Sequence, residues 1–361
     1  MPKLDVARRR LINHGLVQPA LKTAAEVVGR LGAVQAQDYG GAKWGVSQRT
    51  IGLTDAQIEK EIDDGKIVRT HVLRPTWHFV AAADIGWMLA LTAPRVHAAN
   101  AYWYRWLEVD DAVARRSRTV LTRALRDGKQ LTRGELAEEL ARAKIQTESP
   151  QRLACIVMRG ELDGLICSGP RRGKQFTYAL LEERVTKSKE LERDAALFEL
   201  ARRYFTTRGP ATVDDFAWWS GLTKADAKRG VEVAATHLEH GSIDARSYWF
   251  PPEARGLRIG GSTAHLLPNY DEYSVGLKDR SAFGARLASS GVTPRNSALL
   301  GNSLVVNGQI VGGWRRTLVG RTVVVEPSPL IRLSETERRA VETSARSFGR
   351  FLGLSAEVRW P

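Results

Sequence analysis

SPQRLACIVMRGELDGLICSGPRRGKQFTYAL, residues 149–180, decides the fold class. Ser149 followed by Pro150 is a helix start, with proline at the first helical position. Leu153, Ile156, Val157 and Leu162 then fall on one face. Leu165 to Cys167 and Phe176 to Leu180 read as two short strands. Between them sits a basic Gly/Pro tip, Ser168 to Lys174. Just upstream, Thr132 with Glu135 three residues later is a capping box for the helix running to Leu140. Before that, Arg118 to Arg126 forms a helix ended by Asp127 and Gly128. Three helices and a basic-tipped hairpin make the pattern of a winged helix.

Working outward, the theme recurs. LTRGELA at 131–137 matches ATVDDFA at 211–217 in residue type. Asp194 to Phe205, Val213 to Trp219 capped by Thr212, and a helix from Thr223 to Leu238 precede a less basic wing at 248–252. Towards the N-terminus, a basic helix over 5–14 leads to a helix capped by Thr23 with Glu26. That helix is expected to run to the glutamines at 35 and 37. Thr54 and Asp55 open another helix, which stops at Asp64-Gly65. Residues 67–80 read as two strands around a Pro75 turn. Asp84 caps a helix that Pro94 interrupts, and the aromatic cluster Tyr102, Trp103, Tyr104 and Trp106 reads as core. From about residue 262 the period becomes two, and both 265–273 and Leu299 to Val325 read as strand-rich. Asn307-Gly308 is a strong hairpin signal there. A closing amphipathic helix, Ser334 to Phe351, precedes a final strand. The expected fold is α+β. Three tandem winged-helix modules (1–108, 109–187, 188–258) precede a C-terminal β-rich, barrel-like domain (259–361).

The 361 residues carry 54 Lys and Arg against 40 Asp and Glu, a net charge of +14. Residues 111–175 hold 14 of the bases against 8 acids, a local +6. Such an excess points to a polyanion, and tandem helix-turn-helix units make nucleic acid the leading partner. Two cysteines, Cys155 and Cys167, cannot make a four-ligand zinc site. No metal, no cofactor and no membrane contact is expected. With no secretion signal and reduced thiols, the expected location is the cytoplasm, at the nucleoid.

The stretch RLGAVQAQDYGGAKWG, residues 30–45, is the candidate for chemistry. Gln35 and Gln37 lie beside a Gly-rich turn. Two neutral amides there either cap helix-terminal carbonyls or hold a water and a polar substrate without charge. Spacing alone leaves both readings open.

Resemblance adds to this. LGAVQAQDY at 31–39, VRTHVLRPTWHFV at 68–80, LPNYDEY at 267–273 and GWRR at 313–316 resemble the AlkZ-type winged-helix DNA glycosylases over nearly the whole chain. The Gln-apolar-Gln element falls on Gln35, Ala36 and Gln37. The related YcaQ branch has Asp at the second position, which here is Gln37. The resemblance implies three winged helices on a β-domain, forming a basic C-shaped cleft. It implies catalytic roles for Gln35 and Gln37. The implied reaction is monofunctional excision of N7-alkylated purines, including interstrand crosslinks, in base excision repair of, or self-resistance to, a genotoxic alkylating agent. The alternative is a non-catalytic winged-helix regulator or architectural protein.

The chemistry is coherent. Glycosidic cleavage passes through an oxocarbenium-like state that ordinarily needs an acid and a base. An N7-alkylguanine is already cationic, so its leaving group needs no proton. Orienting a water and the sugar is what remains, and amides can do that. Asp38 is the alternative base, with Asp271 and Glu272 as further carboxylates. Lys43 is the one lysine near enough for a lyase step. His71, His78 and Arg74 are possible supporting residues, while Trp44 and Trp77 read as packing. For DNA contact the expected residues are Arg171, Arg172 and Lys174 in the wing, and Asn307, Arg315 and Arg316 by the hairpin. The expected partner is double-stranded DNA containing alkylated purines, bound by a monomer.

Overall fold

The structure, a computed structural model, describes residues 3–185, 187–243, 246–252, 260–291 and 301–361. Helices α1 (Lys3–Asn13) and α2 (Ala24–Leu31) lead through strand β1 (Val34–Gln35) to α3 (Tyr39–Ser47), α4 (Asp55–Asp63), β2 (Ile67–Val72) and β3 (Arg74–Ala81). The long helix α5 (Ile85–Trp106) follows. Next come α6 (Asp111–Leu125), β4 (Leu131–Thr132), α7 (Arg133–Arg142), α8 (Pro150–Leu162), β5 (Ile166–Ser168), β6 (Thr177–Leu180) and the single turn α9 (Leu181–Arg184). The order recurs in α10 (Arg193–Arg208), α11 (Val213–Ser220), α12 (Lys224–Ala234), β7 (Glu239–Ile243) and β8 (Arg246–Phe250). In that third round a lone bridge from Ala211 to Trp249 stands where the short strand would be. The chain ends in β9 (Ala264–Leu267), α13 (Glu272–Val275), α14 (Ala285–Ser289), β10 (Ser303–Val306), β11 (Gln309–Val319), β12 (Thr322–Pro329), α15 (Glu335–Leu352) and β13 (Ser355–Val358).

Local chemistry starts most of these helices. Thr23 with Glu26, Thr132 with Glu135 and Ser334 with Glu337 form complete capping boxes, and Ser149 caps α8 ahead of Pro150. Several expectations fail. The first is that α2 reaches the glutamines. It stops at Leu31, because Gly32 takes φ 83 and turns the chain out of the helix. Asp38 then caps a new helix by accepting the Gly41 N–H at 3.0 Å, so the Gly-rich stretch begins a helix instead of ending one. Second, the turn between β2 and β3 is made by Leu73 at φ 63, and Pro75 lies inside β3. Third, α5 runs through Pro94. The carbonyl that loses its partner belongs to Ala90, which is exposed, while Trp87, Met88, Leu91 and Val96 hold the buried face. Asp84 makes no side-chain cap there, and accepts the Trp87 indole N–H instead. Its Tyr102, Trp103 and Trp106 rings are exposed, not core. Fourth, the strand over 265–273 ends at Leu267, where Pro268 cannot donate to a ladder. Leu299 lies outside the described residues.

The chain folds as two compact units. One comprises Lys60–Ala196 and Ser220–Leu222. Its sheet has the order β4-β6-β5, and Leu121, Leu125, Leu136, Leu140, Ile156 and Ile166 fill its core together with Tyr178. The β2–β3 hairpin is antiparallel, and the Arg69 N–H donates to Ser168 Oγ at 2.8 Å.

The other unit comprises Met1–Glu59, Leu197–Trp219 and Thr223–Pro361. Its five-stranded sheet, β13-β12-β11-β10-β9, is antiparallel except for the parallel β12–β13 pair and curls into a half-barrel. Asn307 and Gly308 form the tight turn from β10 to β11, both at positive φ (52 and 81). The Trp44 and Trp314 rings pack on Phe348 of α15 at 5.0 and 5.3 Å. Their indole N–H groups donate to the successive carbonyls Leu266 and Leu267. Through Trp44, α3 is fixed to the sheet.

Candidate active site

The glutamine segment is an extended span between two helices. Gln35 ends β1 and is 8 % exposed, Ala36 is fully buried, and Gln37 is exposed. The backbone of the segment is gripped by a buried ion pair. The Gln35 N–H donates to Glu272 Oε1 at 2.8 Å. Glu272 Oε2 accepts from Arg208 Nη2 at 2.5 Å and from Trp219 Nε1 at 2.9 Å. The same guanidinium donates to the Leu31 carbonyl at 2.8 Å and to the Ala33 carbonyl at 3.3 Å. Leu31 O is one of the orphan acceptors at the C-terminal end of α2, where a cation is favoured.

Asp271 does for α3 what Glu272 does for β1. It binds Arg49 at 2.8 and 3.0 Å, and Arg49 also donates to the carbonyls of Gly45 and His14. Glycine at 45 is required by this approach, since a Cβ there would lie 2.8 Å from Asp271 Oδ2. A Cβ at Gly41 would lie 2.7 Å from Oδ2 of the capping Asp38 and 3.0 Å from Pro268 Cβ. The local cap at Asp38 thus accounts for glycine at 41, and a contact from more than 200 residues away for glycine at 45. His14, beside Arg49, is held well below its ordinary 6.5 by burial and then by the charges of Arg49, Arg208, Arg10 and Arg30.

The carboxylates around the segment therefore have structural partners. Asp38 caps α3, Asp271 and Glu272 hold arginines, and Asp55 and Glu59 both contact the Lys43 ammonium. Tyr39 donates to Glu59 at 2.9 Å, and Lys43 is 4 % exposed. Trp44 is packing, as expected.

The remaining supporting residues belong to the other compact unit. His71 Nδ1 contacts Glu161, and its ring lies 4.6 Å from Trp77. His78 is fully buried, and its Nδ1–H donates to the Thr76 carbonyl at 2.8 Å. Arg74 is half-buried at the start of β3. In the β5–β6 tip, Arg171 is half-buried over the Phe176 ring, while Arg172 is exposed and bonds Glu135 at 2.7 Å. Lys174 is exposed. Arg69, which sequence reasoning did not single out, lies over both Trp77 and Phe176 at 4.3 and 4.5 Å.

At the sheet, Arg315 and Arg316 are exposed on β11, with Arg316 over Phe348 at 5.6 Å. Asn307 is exposed, but its Oδ1 accepts the Thr263 N–H, and Gly308 packs against Ala7. A second hairpin also went unread. β11 and β12 pair out to Val319 and Thr322, so Gly320 and Arg321 make the tip. Leu318 and Val319 are 63 % and 55 % exposed there. Their only signal in sequence was a glycine between two β-branched runs.

Among the described residues, no helix is long and apolar enough to cross a membrane. A solved structure, the Streptomyces sahachiroi DNA glycosylase AlkZ, has the same fold, with a TM-score of 0.81 at 24 % identity over 100 % of both chains. The interstrand DNA cross-link repair glycosylase of Streptomyces sahachiroi is 27 % identical over 353 residues, 92 % of each chain. The model of the family described as DNA glycosylase AlkZ-like matches residues 28–351. This chain therefore belongs to the AlkZ-like DNA glycosylases.

Proposed function

We propose that this DNA glycosylase is monofunctional and hydrolyses the N-glycosidic bond of N7-alkylated, cationic purines, including purines tied into interstrand crosslinks. The observation that carries the reading is the neutral Gln35/Gln37 pair in a setting where the neighbouring carboxylates already hold helix ends and cations. A site of amides is inadequate for an unmodified purine, which needs protonation to leave. It suffices for a purine that already carries positive charge. Water attacks C1′ of the deoxyribose, and the C1′–N9 bond breaks with its electron pair going to the purine. The purine ring is thereby neutralised, and the surplus proton of the water passes to solvent. Gln35 and Gln37 orient the water and the sugar. Pairing of Lys43 with Asp55 and Glu59 argues against a lyase step, which needs a free amine.

In this reading the three rounds of helices and hairpin are tandem winged helices, over 1–108, 109–187 and 188–258, and 259–361 is the β-rich domain. The protein acts as a monomer on chromosomal DNA in the cytoplasm. Arg171, Arg172 and Lys174 meet the phosphate backbone through the wing, Arg315 and Arg316 meet it from β11, and Asn307 contacts DNA from the β10–β11 turn. Leu318 and Val319, at a hairpin tip with Arg321, suit the apolar wedge that minor-groove binders place between base steps. Family membership favours the enzyme over the non-catalytic regulator.

The test is a duplex carrying one N7-methylguanine, incubated with protein and then heated in alkali. A nitrogen-mustard-crosslinked duplex is run in parallel. Strand cleavage well above spontaneous depurination, abolished in Gln35→Ala/Gln37→Ala protein, is the expected result. Full activity of that double variant would overturn the assignment of the glutamines.

A further inference from the structure

A neutral amide contributes to hydrolysis by where it points. The structure holds Gln35 by an unusual device, and this inference rests on the reading of Gln35 as catalytic. Five residues, 31–35, carry the backbone from the end of α2 to the first glutamine. Three of their main-chain groups, the Leu31 and Ala33 carbonyls and the Gln35 N–H, end on one ion pair of Arg208 and Glu272. That pair is sealed from water, with Arg208 0 % and Glu272 1 % exposed. A donor pair for two carbonyls and an acceptor for one N–H are thus supplied by a single rigid unit.

The surroundings stiffen it. The guanidinium lies over the Trp219 ring at 4.2 Å and over Tyr204 at 5.5 Å, and the Trp219 indole donates to the same carboxylate oxygen as Arg208. Arg208 Nη1 also bonds Thr207 Oγ1 at 2.9 Å. Gly276 makes room, since a Cβ there would lie 2.8 Å from Arg208 Nε. All of these residues belong to one compact unit. A planar guanidinium and a carboxylate fix direction as well as distance. A buried pair is a poor choice for stability alone, since a well-packed apolar substitute would often serve as well.

We propose that Glu272 and Arg208 are positioning residues of the glycosylase reaction: their buried pair fixes the backbone of residues 31–35 and so sets the direction of the Gln35 amide before DNA binds. Neither side chain need touch DNA. Their loss should therefore slow base release while leaving DNA affinity intact.

The experiment compares Glu272→Gln and Trp219→Phe with wild type in the full chain. Glu272→Gln keeps one acceptor but gives up the charge that holds Arg208. Trp219→Phe keeps a ring under the guanidinium and deletes one donor to Glu272. For each, single-turnover release is measured at saturating protein on N7-methylguanine and nitrogen-mustard-crosslinked duplexes. Affinity for the same duplexes is measured by anisotropy, and folding by thermal melting. The expected result is a rate on the order of 10- to 100-fold lower for Glu272→Gln, the range a small misplacement produces. Trp219→Phe should lose severalfold, and affinity in both should stay within about twofold of wild type. A folded Glu272→Gln protein with a wild-type rate overturns the proposal, as does a rate that falls only in step with affinity. If Glu272→Gln does not fold, Trp219→Phe decides by the same two criteria. Gln35→Ala separates the two failures. If it keeps full activity, the reading of Gln35 has failed. If it is inactive while both other variants work normally, only the positioning role has failed.

Discussion

Asp271 holds Arg49 with both carboxylate oxygens, at 2.8 and 3.0 Å, and the two side chains are only 2 % and 3 % exposed. One residue on, Glu272 holds Arg208 in the same sealed manner. Adjacent carboxylates thus anchor the helix after the glutamines and the strand that carries the first of them.

Breaking one partner of such a pair strands the other as a buried charge. Asp271→Asn or Arg49→Met should cost about 3–5 kcal/mol of stability. The double variant Arg49→Met/Asp271→Leu should recover part of that loss, because no charge is left behind. Urea unfolding of the three proteins checks this. A single variant as stable as wild type would contradict the burial argument.

At the β11–β12 tip, Leu318→Ser/Val319→Ser should leave stability within about 0.5 kcal/mol, as both side chains face solvent. Base release from duplex DNA should fall, on the order of tenfold, if the tip wedges into the stack. Unchanged single-turnover rates would remove the hairpin from the DNA-bound state.

The β5–β6 wing makes a different prediction. Lys174→Ala should weaken binding to all sequences alike and reduce the slope of log affinity against log salt by about 1. Arg172→Ala should do less, because that guanidinium already bonds Glu135 and the Gln130 carbonyl. Anisotropy titrations across salt concentrations distinguish the two.

Acid should loosen the fold through histidines. Burial and nearby arginines hold His14 well below 6.5, and His265 is lowered to about 4, by burial first and then by Arg49. The unfolded chain therefore binds more protons below about pH 6.5, so stability falls as pH drops from there. Melting temperatures should decline from pH 6.5 to pH 5, and His14→Gln should flatten the decline. An equal decline in that variant would exclude His14.

Burial also raises the thiols, Cys155 to about 11 and Cys167 to about 12. Neither should react with Ellman's reagent in the native protein at pH 8, and both should react in denaturant. Rapid native labelling would show that this core opens.

What the sequence made legible was local. Thr132 with Glu135, Ser149 before Pro150, and Asn307-Gly308 each contain their own instructions, and each stands as read. The sequence reading carries α2 past its end because it passes over Gly32, whose φ of 83 turns the chain out of the helix. Gly45 serves Asp271, more than 200 residues away, and Gly41 makes room first for its cap Asp38 and then for Pro268, so within the stretch both look like helix breakers. Asp271 and Glu272 were recognised as carboxylates of interest, but their arginines could not be paired with them from sequence. Gln35 and Gln37 stood out by residue type, and the comparisons support the glycosylase to which they are assigned.

Arg208 and Glu272 grip residues 31–35 through main-chain groups: two carbonyls and one N–H. Every amino acid except proline offers the same N–H, and every one offers the same carbonyl. The bonds from Arg208 and Glu272 to the segment therefore do not depend on which side chain stands at 35, proline apart. A scaffold of this kind separates the frame of the segment from the chemistry of the residue it carries.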